Sequence, residues 1–225
     1  MAPRIIVSYD DTDNDRDALA LGQLLAVSGA ALSLAYVRHS QGGALEQKEA
    51  EELLEHGAAA VGAPDMARHV VVNPGTSVGL AELAEREGAD IVVFGSEYRT
   101  AAGTVKPGIS AHKLLLGGPT AIAVAPAGRR EHSPAGIGTI GVLDEGDPAA
   151  RETAASLAAA LGAEVVDFKG LSVDLLVVGS RPESPQGKVT LSASSDYAVE
   201  AATYPVLVVA RGTALSFGAA QAPAA

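Results

Sequence analysis

Residues 90–96 read Asp90-Ile91-Val92-Val93-Phe94-Gly95-Ser96, and residues 174–180 read Asp174-Leu175-Leu176-Val177-Val178-Gly179-Ser180. Each stretch is an apolar run that follows an Asp and ends in Gly-Ser. A short continuous apolar run is typical of a strand buried on both faces, as in a parallel sheet. The pattern recurs at an offset of 174 − 90 = 84, which indicates a duplicated unit.

Apolar runs of the same kind alternate with helical patterns through the first half of the chain. The predicted strands are residues 5–9, 32–37, 69–72, 91–94 and 121–124. The predicted helices are residues 13–28, 45–61, 78–86 and 110–116. This alternation predicts a doubly wound α/β domain whose ligands bind at the carboxyl ends of the strands.

The pattern restarts in the second half, with predicted strands at residues 140–143, 175–178 and 206–209. Asp10 and Asp144 each end a first strand and are offset by 144 − 10 = 134, whereas the Gly-Ser pairs are offset by 84. The difference between the two offsets, 134 − 84 = 50, predicts that the second copy lacks the second helix, third strand and third helix of the first.

These patterns divide the chain into four predicted segments. They are a first domain at residues 1–127, a linker at 128–136, a truncated second domain at 137–212 and a disordered tail at 213–225. The tail is predicted to be disordered because it is Ala-rich and lacks periodicity and charge.

The predicted deletion creates a difficulty at residues 164–168. Two parallel strands of one sheet need a crossover of about a dozen residues or more, and residues 169–172 cannot supply one. We therefore expect residues 164–168 to be a short edge piece or loop, and not a full parallel strand beside the first strand of its domain. The alternative is an ordinary strand that is paired differently.

Composition excludes several classes of function. The chain has 27 acidic residues, 16 Lys and Arg, a formal charge of −11 and no cysteine. Excess negative charge opposes nucleic-acid binding, and the lack of cysteine excludes disulfides and thiolate chemistry. Neither a secretory signal nor a run approaching the roughly 20 apolar residues of a membrane span is recognisable, so we expect a cytoplasmic protein that does not enter a membrane.

Three features occur in both halves and resemble a tandem universal stress protein. They are a first strand that ends in Asp10 or Asp144, the run into Gly-Ser, and a closing strand after Pro119-Thr120 or Tyr204-Pro205. The resemblance implies two fused, Rossmann-like parallel-sheet domains. It also implies that residues 120–125 and 206–211 pair antiparallel, which makes an intramolecular pseudo-dimer and leaves further homo-oligomerisation open.

In nucleotide-binding members of that family, a loop of pattern G-x-x-G-x(9)-G-S/T holds ATP phosphates. Glycine amides and a hydroxyl suit this task because they donate hydrogen bonds to an anion. In the first half Gly95 and Gly108 keep the outer spacing, but Tyr98 replaces the middle Gly and Ile109 the hydroxyl, with Ser110 one place late.

The second half departs further from the pattern. Pro182 and Ser192 stand at glycine positions and Ala193 at the hydroxyl position, while Gly179 is kept. Losing two or three hydrogen bonds to a charged group costs roughly 3 to 9 kcal/mol, so we expect no ATP in this half.

The candidate nucleotide contacts lie in the first half and are Asp10, Val37, Gly95, Ser96, Gly108 and Ser110. Each has a structural alternative: Asp10 suits a helix cap or turn, Val37 the core, and Gly95-Ser96 a turn after a buried strand. We expect no cofactor, with ATP and magnesium in the first domain as the alternative.

The sequence supports no catalytic or metal site. Its five histidines lack metal-site spacing, and no catalytic constellation is recognisable. The resemblance implies a non-catalytic stress-response protein that acts on a protein partner or a weak small ligand. The alternative is an ATP-binding regulator, or a slow ATPase, that uses the first domain only.

Overall fold

A computed structural model of the chain describes residues 2–131, 136–170 and 172–218. Its strands are β1 Arg4–Ser8, β2 Ala31–Arg38, β3 Ala67–Val72, β4 Ile91–Gly95, β5 Ala121–Ala125, β6 Thr139–Leu143, β7 Glu164–Asp167, β8 Leu175–Val178 and β9 Val206–Val208. Its helices are α1 Asp13–Ala26, α2 Ala44–Ala60, α3 Thr76–Glu87, α4 Ile109–Leu115, α5 Ala149–Leu161 and α6 Ala193–Glu200, with a 3₁₀ turn at Arg129–Glu131.

The strands form a single sheet in the order β3-β2-β1-β4-β5-β9-β8-β6-β7. Every neighbouring pair is parallel except β5 and β9. Helices cover both faces, with α1, α2 and α5 on one core cluster and α3, α4 and α6 on the other. The predicted fold class is therefore confirmed.

Continuous apolar strands arise because this sheet is buried on both sides. Successive side chains of a strand point to opposite faces. Ile91 and Val93 accordingly pack in the core under α1, whereas Val92 and Phe94 pack in the core under α3 and α4. A polar residue at any of these positions would be buried without a partner.

The second half repeats the strand order of the first. The order β9-β8-β6-β7 corresponds to β5-β4-β1-β2, read outward from the centre of the sheet. Within residues 136–170 and 172–218 no element corresponds to β3, α2 or α3.

The two halves join through β5 and β9, which pair antiparallel with Ile122 opposite Val208 and Val124 opposite Val206. This is the strand pairing that the family resemblance implies. It covers two apolar strand edges that would otherwise be open to aggregation.

The prediction for residues 164–168 is right that they form a short edge piece and wrong that this piece is not a parallel strand beside β6. Residues Glu164–Asp167 form β7, a parallel strand in register with β6. The connection to β8 is confined to residues 168–174. A connection of about seven extended residues spans up to about 23 Å, which is enough to return along a four-residue strand of about 13 Å without a helix.

Gly141 in the middle of β6 makes room for this short crossover. A Cβ atom on Gly141 would lie 3.1 Å from Val173 Cγ1 and 3.3 Å from Phe168 Cδ2. The connection therefore packs directly on the bare backbone of β6. The dozen-residue rule fails here because it assumes that a helix makes the crossover.

The prediction of disorder is also wrong for residues 213–218. Leu215 and Phe217 are 4% and 8% exposed and belong to the core beside α5. Their backbone N–H groups donate to Thr153 Oγ1 at 2.9 Å and Ser156 Oγ at 2.8 Å. Two apolar side chains two positions apart thus hold an extended segment against the helix, while residues 219–225 lie outside the described residues.

Part of the predicted linker is held by a buried carboxylate. Asp17 of α1 is 1% exposed and accepts from the N–H groups of Gly128 at 2.7 Å and Arg130 at 2.8 Å. Residues 132–135 of the linker lie outside the described residues. No helix in the described ranges is long and apolar enough to cross a membrane.

Candidate ligand-binding cleft

A cleft of about 370 Å³ lies where the carboxyl ends of β1, β2 and β4 meet. In the sheet β1 lies between β2 and β4, and the strand order reverses direction at β1. The cleft therefore lies at the switch point at which doubly wound folds bind ligands. All six candidate residues line it: Asp10, Val37, Gly95, Ser96, Gly108 and Ser110. Their proximity follows from the strand order, because each lies near the carboxyl end of a strand or at the start of α4.

Gly95 is required by packing. A Cβ atom at this position would lie 1.9 Å from the carbonyl oxygen of Asn14 in the first turn of α1. Real Cβ atoms do not approach a backbone oxygen so closely, and the backbone cannot easily move. The glycine therefore lets the end of β4 touch α1, whether or not a ligand binds.

The hydroxyl of Ser96 is used within the protein. Ser96 is 3% exposed, and its Oγ donates to the carbonyl oxygen of Ala125 at 2.7 Å and accepts from the N–H of Lys106 at 3.1 Å. These bonds tie the loop after β4 to the end of β5. A ligand could use this hydroxyl only by breaking them.

Several backbone donors of the loop after β4 are also occupied. The N–H group of Glu97 donates to the carbonyl of Lys106, and that of Gly103 to the carbonyl of Ala127. The N–H groups of Thr100, Thr104 and Val105 have protein acceptors as well. Pro107 has no N–H. These five N–H groups are therefore not free to bind an anion.

The cleft is acidic. Asp10, Asp15 and Glu97 line it, and among the described lining residues there is no lysine or arginine. Burial, followed by the nearby Asp15 carboxylate, raises the pKa of Asp10 above its usual value of 3.8. His39, also on the lining, acts in the opposite direction. A polyphosphate here would meet net repulsion.

Asp15 is committed to capping α1. Its Oδ2 accepts from Thr12 Oγ1 at 2.6 Å, from the N–H of Thr12 at 3.2 Å and from the N–H of Asp10 at 3.1 Å. Thr12 in turn accepts from the N–H of Asp15, which completes a capping box. Thr12 is therefore the N-cap residue of α1, and the Asp10 side chain does not cap this helix.

Two of the remaining candidates, Val37 and Gly108, have no polar side chain to offer a ligand, whereas Ser110, which carries a hydroxyl, lines the cleft. Val37 is 6% exposed and packs in the core under α3. Gly108 precedes α4 and has room for a Cβ atom, with nothing within 4 Å. Tyr98 and Ile109, the residues that depart from the phosphate-loop pattern, are each 76% exposed at the cleft mouth.

Sequence reasoning missed Tyr36, His39, Thr76 and Phe94, which also line the cleft. Each lies at the carboxyl end of a strand or at the start of the next helix, so the same strand-end rule points to them. Burial and the Asp10 carboxylate raise the pKa of Tyr36. Among the described residues no group of three or more His, Asp or Glu side chains could hold a metal ion.

The matching position of the second half is occupied by a carboxylate. Glu145 Oε1 accepts from Ser192 Oγ at 2.6 Å and also from Ser195 Oγ, at the beginning of α6. The start of α6 is where the duplicated pattern would place a bound anion. A side chain of the protein itself therefore satisfies these donors.

Each half also holds the loop of the other. The N–H of Val105 donates to the carbonyl of Ala202 at 2.9 Å, and the N–H of Val189 donates to the carbonyl of Gly118 at 3.0 Å. The two bonds are equivalent, since 189 − 105 and 202 − 118 both equal 84. Val105 and Val189 are 2% and 0% exposed, so both loops are fixed at the junction of the halves.

Comparison with known proteins identifies the fold. No protein-family profile matches the sequence, and no curated protein is similar to it in sequence. Among solved structures, a universal stress protein from Archaeoglobus fulgidus DSM 4304 matches 93% of this chain and 98% of its own, at 15% identity and a TM-score of 0.54. The functionally unknown protein PA1789 from Pseudomonas aeruginosa PAO1 matches 93% of both chains, at 15% identity and a TM-score of 0.61. These likenesses establish a shared fold over nearly the whole chain.

Proposed function

We propose that this protein is a non-catalytic stress-response protein of the universal stress protein type, in which neither half binds a nucleoside triphosphate tightly. The observation that carries the proposal is the internal use of most donors in the loop that would hold the phosphates. The Ser96 hydroxyl and the N–H groups of residues 97, 100 and 103–106 bond to the protein, and the described lining of the cleft has no lysine or arginine.

The energetic argument concerns the phosphate end of a nucleotide. Hydrogen bonds to charged groups contribute about 1.5 to 3 kcal/mol each, so two missing donors weaken binding by at least about a hundredfold. Repulsion from Asp10 and Glu97 acts in the same direction. A site of about micromolar affinity would become one of about 100 μM or weaker.

The second half fits the proposal as a structural partner of the first. Glu145 satisfies the hydroxyl donors at the start of α6, and the carbonyl of Ala202 holds Val105 in the loop of the first half. We infer that residues 137–212 act as a built-in, truncated second subunit, so that the chain is an intramolecular pseudo-dimer. Exposed Tyr98 and Ile109 at the cleft mouth then offer apolar contact to a protein partner or a weak ligand.

Calorimetric titration with ATP and magnesium tests the proposal. We expect no binding tighter than about 100 μM. The double variant Tyr98→Gly, Ile109→Ser restores the family pattern at two exposed positions and is the matched control. Binding by the wild type that is tighter than this limit, and that Asp10→Ala weakens, would overturn the proposal.

One observation favours the alternative function. All six candidate residues line a single cleft at the switch point of the sheet. The alternative is an ATP-binding regulator, or a slow ATPase, that uses the first half only. Release of phosphate from ATP that is lost in Asp10→Ala would support it.

A further inference from the structure

A second and larger cavity, of about 700 Å³, lies along α1. Its volume falls in the range of about 300 to 1,000 Å³ that is common for small-molecule sites. Tyr9, next to this cavity, has a pKa raised by burial to about 12 and donates its hydroxyl to Asp11. The nucleotide interpretation of the sequence does not account for this cavity.

One end of the cavity is apolar. Leu19 and Leu24 of α1 line this end, together with Val27 just after α1 and Val61 just after α2. Leu19 and Leu24 are 2% and 8% exposed and form its floor, whereas Val27 is 58% exposed. Val27 is a large apolar side chain left in water at the rim, and a ligand with an aliphatic part would cover it.

The other end is cationic. Arg16, Arg129 and Arg130 line it, against one carboxylate, Asp11, among the described lining residues, in a protein of net charge −11. Arg16 is paired with Asp11 at 3.0 Å, and Arg130 with Asp13 at 3.0 Å. The side chain of Arg129 is half-buried and, among the described residues, has neither an ion-pair nor a hydrogen-bond partner. Burial lowers the pKa of Arg129, while the Asp174 and Asp17 carboxylates act in the opposite direction.

The two ends are separated along the helix. Arg16 and Val27 are offset by 27 − 16 = 11 positions, which corresponds to about 16 Å at about 1.5 Å per residue. Arg130 donates to the carbonyl of Asp13, so the 3₁₀ turn lies beside the first turn of α1. The cavity thus changes from cationic to apolar along α1, which matches a molecule with an anionic head and an aliphatic tail.

We propose that this cavity binds a free aliphatic carboxylate of fatty-acid type, with the carboxylate at Arg129 and the chain along α1 toward Val27. A planar guanidinium that makes no hydrogen bond or ion pair with the described residues suits a carboxylate, because it donates two parallel hydrogen bonds. The chain displaces water from Leu24, Val27 and Val61. The cavity shares only Tyr9 with the described lining of the cleft at Asp10, and the proposal does not depend on the function proposed above.

The absence of tryptophan from the chain gives a direct test. Val27→Trp and Tyr98→Trp each place a single fluorophore at an exposed position, the first at this cavity and the second at the cleft. We expect dodecanoate, below its micelle concentration, to shift the emission of Val27→Trp to shorter wavelength in a saturable manner. The emission of Tyr98→Trp stays unchanged.

Charge variants in the Val27→Trp background test the role of Arg129. We expect Arg129→Gln to raise the midpoint of the dodecanoate titration about tenfold, and Arg129→Lys to raise it less. Dodecanol, which lacks the charge, should show no dependence on Arg129. Lack of saturation, an equal midpoint in Arg129→Gln and Arg129→Lys relative to the parent, or a response only from Tyr98→Trp would overturn the proposal.

Discussion

The hydroxyl of Ser180 makes the same two hydrogen bonds as the hydroxyl of Ser96, its counterpart at an offset of 180 − 96 = 84. Each donates at 2.7 Å to a carbonyl further along the chain, at Ala125 or Val209. Each accepts at 3.1 Å from an N–H ten positions onward. The two halves of the chain thus keep the same structural use for the serine of the Gly-Ser pair, although their surrounding loops differ in sequence.

Removal of either hydroxyl should destabilise the protein to a similar extent. Ser96→Ala and Ser180→Ala each leave a buried carbonyl and an N–H without a partner, which costs about 1 to 3 kcal/mol. Urea unfolding measures the loss, with Ser216→Ala at an exposed position as the control. Unchanged free energies of unfolding in both variants would contradict a structural role. Ser96 would then again be a candidate ligand contact.

The two glycines of the Gly-Ser pairs should respond differently to the same substitution. A Cβ atom on Gly95 would meet the Asn14 carbonyl at 1.9 Å, whereas on Gly179 the nearest atom is Ala150 Cβ at 3.5 Å. We expect Gly95→Ala to lower the free energy of unfolding by about 3 kcal/mol and Gly179→Ala to change it by less than about 1 kcal/mol. Thermal or urea unfolding of Gly95→Ala and Gly179→Ala measures the difference. Equal losses in the free energy of unfolding would contradict the close approach of β4 to α1.

The strands and the position of the cleft could be predicted from the sequence because both follow from local pattern. Residues 91–94 are apolar at every position since β4 is buried on both faces, and strand order then brings Asp10 and Gly95 together. The packing of Leu215 and Phe217 could not be predicted in this way. It depends on the surface of α5 and on two hydroxyl acceptors in that helix, which lie far from this segment in the sequence.

The chemistry of the cleft was less predictable than its location. A Ser after Gly95 suggests a phosphate ligand, and only the tertiary structure reveals that Ala125 and Lys106 occupy its hydroxyl. The cavity along α1 gave no sequence signal. Its cationic and apolar ends come from α1 and from the 3₁₀ turn that follows β5, so no single motif contains them.

The short crossover between β7 and β8 should depend on Gly141. A branched side chain there would collide with Val173 and Phe168, whose atoms lie 3.1 and 3.3 Å from the position that a Cβ atom would take. We expect Gly141→Val to destabilise the fold by about 1 to 3 kcal/mol and to increase hydrogen exchange in β7 selectively. Gly136→Val, at an exposed position before β6 where a Cβ atom would have nothing within 4 Å, is the control. Equal hydrogen-exchange rates in β7 of the wild type and of Gly141→Val would show that the crossover does not depend on packing against β6.

The Asp10 carboxylate should make stability depend on pH in a defined direction. Burial and Asp15 raise its pKa in the folded protein above the usual value of 3.8. The folded state therefore binds more protons than the unfolded state between the usual value and the raised value. The contribution of Asp10 becomes more favourable as the pH falls through this window, and at neutral pH its charge opposes folding.

Replacement of Asp10 by a neutral isostere should therefore help most at neutral pH. We expect Asp10→Asn to stabilise the protein at pH 7, by less than about 1 kcal/mol because the group is solvent-exposed, and to lose this advantage below the usual pKa. Urea unfolding of wild type and variant across acidic to neutral pH measures the difference, with Asp65→Asn, on an exposed turn outside the cleft, as the control. If Asp10→Asn instead stabilised the protein more as the pH falls, the Asp10 carboxylate would not destabilise the folded protein at neutral pH, and the prediction would be wrong.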